Sequence, residues 1–274
     1  MTDNTINNEQ QPQQNKSSFK DLPISKVLPN LVTMMAAASG ITSIRLSADG
    51  NWVFAIVAII LAAFFDGMDG RVARMLDSQS KIGAELDSLS DFVCFGVAPG
   101  MMLFFWAMKQ AIGIGWILSL VYAMCCVFRL ARFNTMLNEE HPPYWDYFFV
   151  GLPAPGGAIL ALAPVVFYLY FTGFGPEYAA VAEFIRSPLV GGIVLFISGF
   201  LMASRIPTLS LKKLKISERM LFPVVIVFAV IAGGIFVAPW LVLGTIAVLY
   251  FCSVPITILV FLKMKAAYNK KQEH

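Results

Sequence analysis

The stretch DGMDGRVARMLDSQSKIGAELDSLSD, residues Asp66–Asp91, decides the fold of this chain. It carries six acidic side chains, although the segments around it are almost free of charge: Asp66, Asp69, Asp77, Glu85, Asp87 and Asp91. An ionisable side chain inside a membrane span is costly, and by default it indicates a functional site. The stretch predicts two facing helices joined by a turn, with acids where the helices meet.

The composition around this stretch is that of a membrane protein. Of the 274 residues, 58% are hydrophobic and 14% are charged, and the mean hydropathy is +0.71. Soluble domains are about 45–50% apolar and about 25% charged, so we expect an all-α polytopic membrane protein with one membrane domain. The net charge of +3 gives no reason to expect a nucleic-acid partner. The four cysteines have no CxxC spacing, which favours buried residues over a redox or zinc site.

Charge-free windows predict eight transmembrane helices, because a span needs about 20 apolar residues. The last window is long enough for two spans that separate near Ala238 and Pro239, and the second and third helices extend into the acidic stretch. The windows are 27–44, 50–65, 92–108, 110–128, 147–176, 187–204 and 220–262.

The distribution of Lys and Arg predicts the orientation. With the N-terminus inside, 17 of the 20 basic residues fall on the cytoplasmic side and 3 fall outside, as the positive-inside rule requires. The acidic stretch is then a cytoplasmic hairpin, and both termini are cytoplasmic. We expect a disordered cytoplasmic tail at 1–26, a membrane-embedded domain at 27–263 and a basic cytoplasmic tail at 264–274.

The acids of the hairpin match in height. In an antiparallel pair of helices, residues at equal height have nearly the same index sum, and Asp66 with Asp91 gives 157 while Asp69 with Asp87 gives 156. Four ionised carboxylates this close repel one another unless a cation lies between them. Hard oxygen ligands favour Mg²⁺ or Mn²⁺. Four carboxylates suffice for two ions, an arrangement suited to displacement at phosphorus.

Neighbouring residues indicate a phosphate ligand. Gly70 removes a side chain where a ligand approaches the helix, and Arg74, one turn later, offers a planar fork to phosphate oxygens. Ser80 lies in the turn and can donate a hydrogen bond. Asp77 and Glu85 have no height-matched partner, and we interpret them as solvated.

The hairpin resembles a known signature at every position. The CDP-alcohol phosphotransferases, which are integral membrane enzymes, share the following pattern with it: Asp66-x-x-Asp69-Gly70-x-x-Ala73-Arg74, eight residues, then Gly83-x-x-x-Asp87-x-x-x-Asp91. Within that family the chain is most similar to the bacterial phosphatidylserine synthase branch, in motifs that include LPNLVT (28–33), FRLARFN (128–134) and GLPAP (151–155). The resemblance implies transfer of a phosphatidyl group from CDP-diacylglycerol to L-serine in the bacterial inner membrane. It also implies a homodimer.

The resemblance implies a role for individual residues. The metal ligands would be Asp66, Asp69, Asp87 and Asp91, and Asp91 would also be the general base. The contacts to the CDP part of the donor would be Asn30, Thr33, Gly70, Arg74 and Ser80.

The acceptor site is predicted from charge. L-serine carries a carboxylate, so its site should hold a cation. Arg129 and Arg132 lie three residues apart on one face at the inner end of the fourth helix, and they are the candidate serine ligands. The alternative is that both are positive-inside anchors whose side chains reach the membrane surface.

Two other functions remain open at this point. The first is the same chemistry with glycerol 3-phosphate, inositol or choline as the acceptor, because the aspartate signature is common to those enzymes. The second is a divalent-cation transporter. A transporter needs acids along a path across the membrane, whereas the acids here lie near one face.

Overall fold

The computed structural model describes residues 24–136, 145, 148–209 and 218–272. Nearly all of this part is helical, with one pair of short strands. Its elements in chain order are α1 (Ile24–Ala48), α2 (Trp52–Met75), α3 (Lys81–Met108), α4 (Ile112–Met136), β1 (Phe148–Val150), α5 (Ala154–Thr172), α6 (Ala179–Ile185), α7 (Pro188–Ala203), β2 (Pro207–Leu209), α8 (Glu218–Val237) and α9 (Pro239–Gln272).

Six of the described helices are long and apolar enough to cross a membrane, namely α1 to α5 and α9. A short turn of helix at Pro176–Tyr178, α6 and α7 together give a seventh span with a bend of 51°. The apolar part of α8, Phe222–Val237, is shorter than a span. The predicted all-α polytopic class is confirmed, whereas the count of eight spans and the orientation remain predictions. The predicted N-terminal tail at 1–26 lies almost entirely outside the described residues.

Helix α1 packs along α2 and against α3, so three helices surround the acidic stretch. Small side chains make this close approach possible. Ala36, Ala55 and Ala62 are completely buried. A Cβ atom on Gly40 would lie only 2.8 Å from the Sγ atom of Cys94, so α1 and α3 nearly touch at that point.

Helix α3 contains two π-helical segments, Phe92–Val97 and Phe104–Met108. The first begins directly after Asp91. Helix α4 packs against this segment, and the buried Tyr122 hydroxyl of α4 donates to the carbonyl of Phe95 at 2.9 Å. Turns of π-helix are rare and often lie at functional sites.

The short strands β1 and β2 pair antiparallel, with Phe149 opposite Thr208. The sequence did not predict this pairing, and it predicted a span from residue 147. Strand β1 occupies the start of that window, and α5 begins only at Ala154. Between them Gly151 has a positive φ of 78° and donates its backbone N–H to the carbonyl of Ile206 at 3.0 Å. The two strands therefore connect the start of α5 to the end of α7.

Candidate active site

Three of the four signature aspartates converge on one point. Asp66, Asp69 and Asp87 each place a carboxylate oxygen within 4.8 Å of the other two. Asp91 joins this group through Asp66, because the two carboxyl groups are neighbours and interact. Helices α2 and α3 thus bring together Asp66 with Asp91 and Asp69 with Asp87, the pairs that the equal index sums predict.

Helix α1 orients one member of the cluster. The Thr33 hydroxyl donates to the Oδ2 atom of Asp69 at 2.6 Å. The other oxygen of Asp69 accepts the backbone N–H of Gly70. Asp69 is only 5% exposed, so both oxygens are held in place on the inner wall of the site. The structure places Thr33 against a predicted metal ligand, where it positions the carboxylate as well as lining the cleft.

The cluster has the donor set and the unpaired charge that a hard divalent cation requires. The Oδ1 atom of Asp91 is buried and has no hydrogen-bond partner among the described residues. No Lys or Arg nitrogen in the described part of the chain lies within 4.0 Å of these carboxylates. A buried carboxylate is stable only when it is paired or bound to a metal. The residues therefore fit Mg²⁺ or Mn²⁺, which prefer oxygen ligands.

A cleft with a volume of about 690 Å³ opens beside the cluster, between α1 and the hairpin. This is within the range of about 300–1,000 Å³ that is typical of ligand pockets. Seven of the residues with predicted roles line it: Asn30, Thr33, Asp69, Gly70, Arg74, Ser80 and Asp87. Three further polar residues that the sequence did not predict also line the cleft, Ser78, Gln79 and Lys81. Their position in the turn beside Ser80 is the feature of the sequence from which this role could have been predicted.

Two residues of the hairpin leave the cleft open to a ligand. No atom lies within 4 Å of the place where a Cβ atom on Gly70 would be, so packing does not require a glycine there. Ser80 caps the start of α3, where its Oγ atom accepts the backbone N–H of Gly83 at 3.0 Å. A hydroxyl that accepts in this way keeps its own hydrogen to donate. Ser80 can therefore cap the helix and bind a phosphate at the same time.

The two other acids of the hairpin lie outside the site, as the sequence predicts. Asp77 and Glu85 are exposed. Asp77 has a positive φ of 46°, and this conformation ends α2 and starts the turn. Short polar side chains tolerate that conformation better than most.

The structure separates the two arginines predicted to bind serine. Arg132 donates to four backbone carbonyls, at 2.9 Å to Ala203, 3.2 Å to Met202, 2.7 Å to Ser204 and 3.4 Å to Val150. Its guanidinium group connects the end of α7 to β1, a role that the sequence did not predict.

Arg129 has no comparable commitment within the described part of the chain. It is 9% exposed, and within the described residues its guanidinium group makes no hydrogen bond or ion pair. It lies over the ring of Phe133 at 5.4 Å, and its charge interacts with Asp91 and Asp66. A cavity of about 140 Å³ adjoins it on the side of β1, and both Arg129 and Arg132 line this cavity.

Comparison with known proteins identifies the family. A model of the CDP-alcohol phosphatidyltransferase family matches residues 26–202. The chain belongs to this family of transferases. The matched region contains all four aspartates, the residues of the cleft and both arginines, and it ends before α8 and α9.

Named relatives in this family are similar over most of their length. A CDP-diacylglycerol–serine O-phosphatidyltransferase of Mycobacterium tuberculosis (strain ATCC 25618 / H37Rv) is 33% identical over 234 residues, which is 85% of this chain and 78% of the relative. One of Helicobacter pylori (strain J99 / ATCC 700824) is 32% identical over 92% of this chain and 99% of the relative. An archaetidylserine synthase of Methanothermobacter thermautotrophicus is 36% identical over 56% of this chain and 61% of the relative.

Proposed function

We propose that the chain transfers the phosphatidyl group of CDP-diacylglycerol to the hydroxyl of L-serine, with phosphatidylserine and CMP as products. The observation that carries this proposal is the continuity of the cleft with the aspartate cluster, because it lets one ligand reach both. The names of the relatives from Mycobacterium tuberculosis and Helicobacter pylori support serine as the acceptor.

The cleft accounts for the donor. Arg74 is exposed on its wall, and its planar guanidinium group matches phosphate oxygens. Ser80 and Asn30 add hydrogen-bonding groups to the lining of the cleft, and the open surface at Gly70 lets the pyrophosphate approach α2. The acyl chains of the donor would lie in lipid against the apolar outer faces of the helices.

The aspartates account for the reaction at phosphorus. Asp66, Asp69, Asp87 and Asp91 would hold two divalent cations, Mg²⁺ or Mn²⁺, which when bound supply positive charge that stabilises the pyrophosphate and the leaving CMP. Asp91 removes the proton of the acceptor hydroxyl, since its buried Oδ1 atom is free to accept it. The hydroxyl oxygen bonds to the β-phosphorus, and the bond from that phosphorus to the CMP oxygen breaks.

Arg129 accounts for the choice of an acceptor that carries a carboxylate. Its guanidinium group is buried next to Asp91 and unpaired in the described structure, so a bound carboxylate would supply its counter-charge. Arg132 is already committed to backbone carbonyls, and we propose that it supports the site indirectly.

The arrangement of acids favours this enzyme over a cation transporter. Among acidic side chains whose burial is described, those that are at least half-buried all belong to the one cluster. A transport path would need further polar ligands across the membrane. We further propose a bacterial inner-membrane location, a site that faces the cytoplasm, cytoplasmic termini and a homodimer, all of which follow from the family resemblance and the distribution of basic residues.

The test is an assay of the purified protein with CDP-diacylglycerol, Mg²⁺ or Mn²⁺, and one alcohol at a time. We expect CMP release with L-serine and little with glycerol 3-phosphate, inositol or choline. Release with one of the other alcohols and none with serine would refute the acceptor. No release with any alcohol would refute the transferase reaction itself.

A further inference from the structure

Tyr250 of α9 carries a buried hydroxyl group that no interaction in the described structure explains. Its OH atom is inaccessible to solvent and has no hydrogen-bond partner among the described residues. An unpaired buried polar group of this kind costs about 1–3 kcal/mol. Such groups are rare in native proteins and call for an explanation. A ligand that accepts this hydrogen bond would supply one.

The packing holds the phenol in a fixed place. A Cβ atom on Gly156, in the first turn of α5, would overlap the Tyr250 hydroxyl and would lie 2.6 Å and 2.7 Å from the ring atoms Cε1 and Cζ. Position 156 therefore accepts only a glycine while the ring is in this place. The absence of a side chain there lets the last helix insert its phenol beside the start of α5.

The Tyr250 side chain lies in the neighbourhood of Arg129, the proposed acceptor ligand. The positive charge of Arg129 interacts with Tyr250 as well as with Asp91 and Asp66. Arg129 is thus a neighbour of both the proposed base and the unpaired phenol. A ligand carboxylate beside Arg129 would have its second oxygen available for another donor, because a carboxylate has about four lone-pair positions.

We propose that the Tyr250 hydroxyl binds the carboxylate of the acceptor together with Arg129, and so makes the last helix part of the acceptor site. This inference rests on the proposed function. It implies that the choice of acceptor depends on α9, which lies outside the region matched by the family model. A site with buried donors rejects an acceptor that cannot pair with them, so an alcohol without a carboxylate should be a poor substrate.

The substitution Tyr250→Phe tests the role of the hydroxyl and keeps the ring that packs on Gly156. We expect the KM for L-serine to rise about 10- to 100-fold, the range for a lost hydrogen bond to a charged group. The affinity for CDP-diacylglycerol measured without serine should not change, and neither should the low rate with ethanolamine, which lacks the carboxylate. Tyr168→Phe is the matched control, because Tyr168 packs on Trp106, near the end of α3 that is far from Asp91.

The possible outcomes distinguish a failure of the role of Tyr250 from a failure of the proposed function. If the unmodified enzyme uses serine and Tyr250→Phe leaves the KM for serine unchanged, the inference is wrong and the proposed function stands. If Tyr250→Phe weakens donor binding, or slows serine and ethanolamine equally, the hydroxyl has a structural role and the inference is again wrong. If the unmodified enzyme does not use serine at all, the proposed function fails first.

Discussion

Single residues of the hairpin show which positions serve a ligand and which serve the fold. Gly70 and Gly67 are both glycines in α2, and neither has an atom within 4 Å of the place of a Cβ atom. The fold tolerates a methyl group at either position equally. Of these two glycines, only Gly70 lines the cleft. We therefore predict that the glycine at position 70 serves the ligand and not the packing.

Gly70→Ala should separate binding from stability. Alanine in the middle of a helix is more favourable than glycine by up to about 1 kcal/mol, so we expect the variant to fold at least as well as the natural chain. Its methyl group enters the cleft, and the KM for CDP-diacylglycerol should rise about tenfold or more. Enzyme kinetics and thermal unfolding in the same detergent check this. Gly67→Ala is the control and should keep normal kinetics; an equal loss in both variants would place the effect in the helix.

Asp91→Asn should remove the base while the shape of the site is kept. General bases contribute about 10²–10⁴-fold to rate, so we expect the rate of CMP release to fall by at least 10²-fold. Binding of CDP-diacylglycerol, measured at equilibrium with Mg²⁺ present, should change much less. Asp77→Asn changes an exposed acid of the same hairpin and should leave the rate unaffected. Turnover of Asp91→Asn near the natural rate would rule out this base.

At the scale of whole elements, the sequence predicts contacts between segments that are close in the chain and misses contacts between segments that are far apart. The height match of Asp66 with Asp91 follows from helical geometry and one turn, so it could be read from spacing alone. The π-helical segment after Asp91 has no such pattern, because it depends on Tyr122 of another helix. The pairing of β1 with β2 joins segments almost sixty residues apart, each only three residues long.

The role of Arg132 also depends on contacts between segments that are far apart in the chain. The sequence shows a cation at the end of α4 and suggests a serine ligand, but its four carbonyl partners come from β1 and the end of α7. The last carbonyls of a helix have no partner within it, so the guanidinium group caps α7 from outside. A side chain with this role supports the fold around the acceptor site.

Arg132→Lys should therefore act through stability. Lysine keeps the charge and loses the planar fork, and several carbonyls would lose their donor. We expect a fall of about 1–3 kcal/mol in the free energy of unfolding, observed as a lower melting temperature in detergent, with kcat/KM reduced to a similar extent for both substrates. Arg129→Lys should show the reverse pattern, with near-normal stability and a raised KM for serine. If Arg132→Lys raised only the KM for serine, Arg132 would be a direct serine ligand.

Contacts between helix ends assign those ends to one of two faces of the molecule. Arg132 joins the end of α4 to the end of α7, and Arg186, just before α7, donates to the carbonyl of Trp106 near the end of α3 at 3.2 Å. The ends of α4 and α7 therefore lie at one face, and the end of α3 lies at the other. In α9, the Phe261 ring contacts the ring of Phe148 in β1 at 5.3 Å. The later part of α9 is thus at the same face as the ends of α4 and α7.

From this arrangement we predict that α8 crosses the membrane. The chain leaves α7 at one face, and α9 returns to that face at Phe261, so we expect α8 to reach the opposite face before α9 begins at Pro239. The 20 residues of α8, of which Phe222–Val237 are apolar, extend about 30 Å at 1.5 Å per residue, close to the hydrocarbon thickness of about 30 Å. The predicted count of eight spans follows if the bent pair that contains α6 and α7 is one span.

A topology measurement checks this count. With eight spans, a reporter fused after His274 should lie on the same side as a cysteine introduced at Asp77 in the hairpin, and we expect both in the cytoplasm. A cysteine introduced at Lys109, after α3, should react with a membrane-impermeant thiol reagent in intact cells, whereas one at Asp77 should react only after permeabilisation. A variant without the four native cysteines is the background. If the reporter lay on the side of Lys109, α8 would not cross, and the proposed arrangement of α9 against β1 would be wrong.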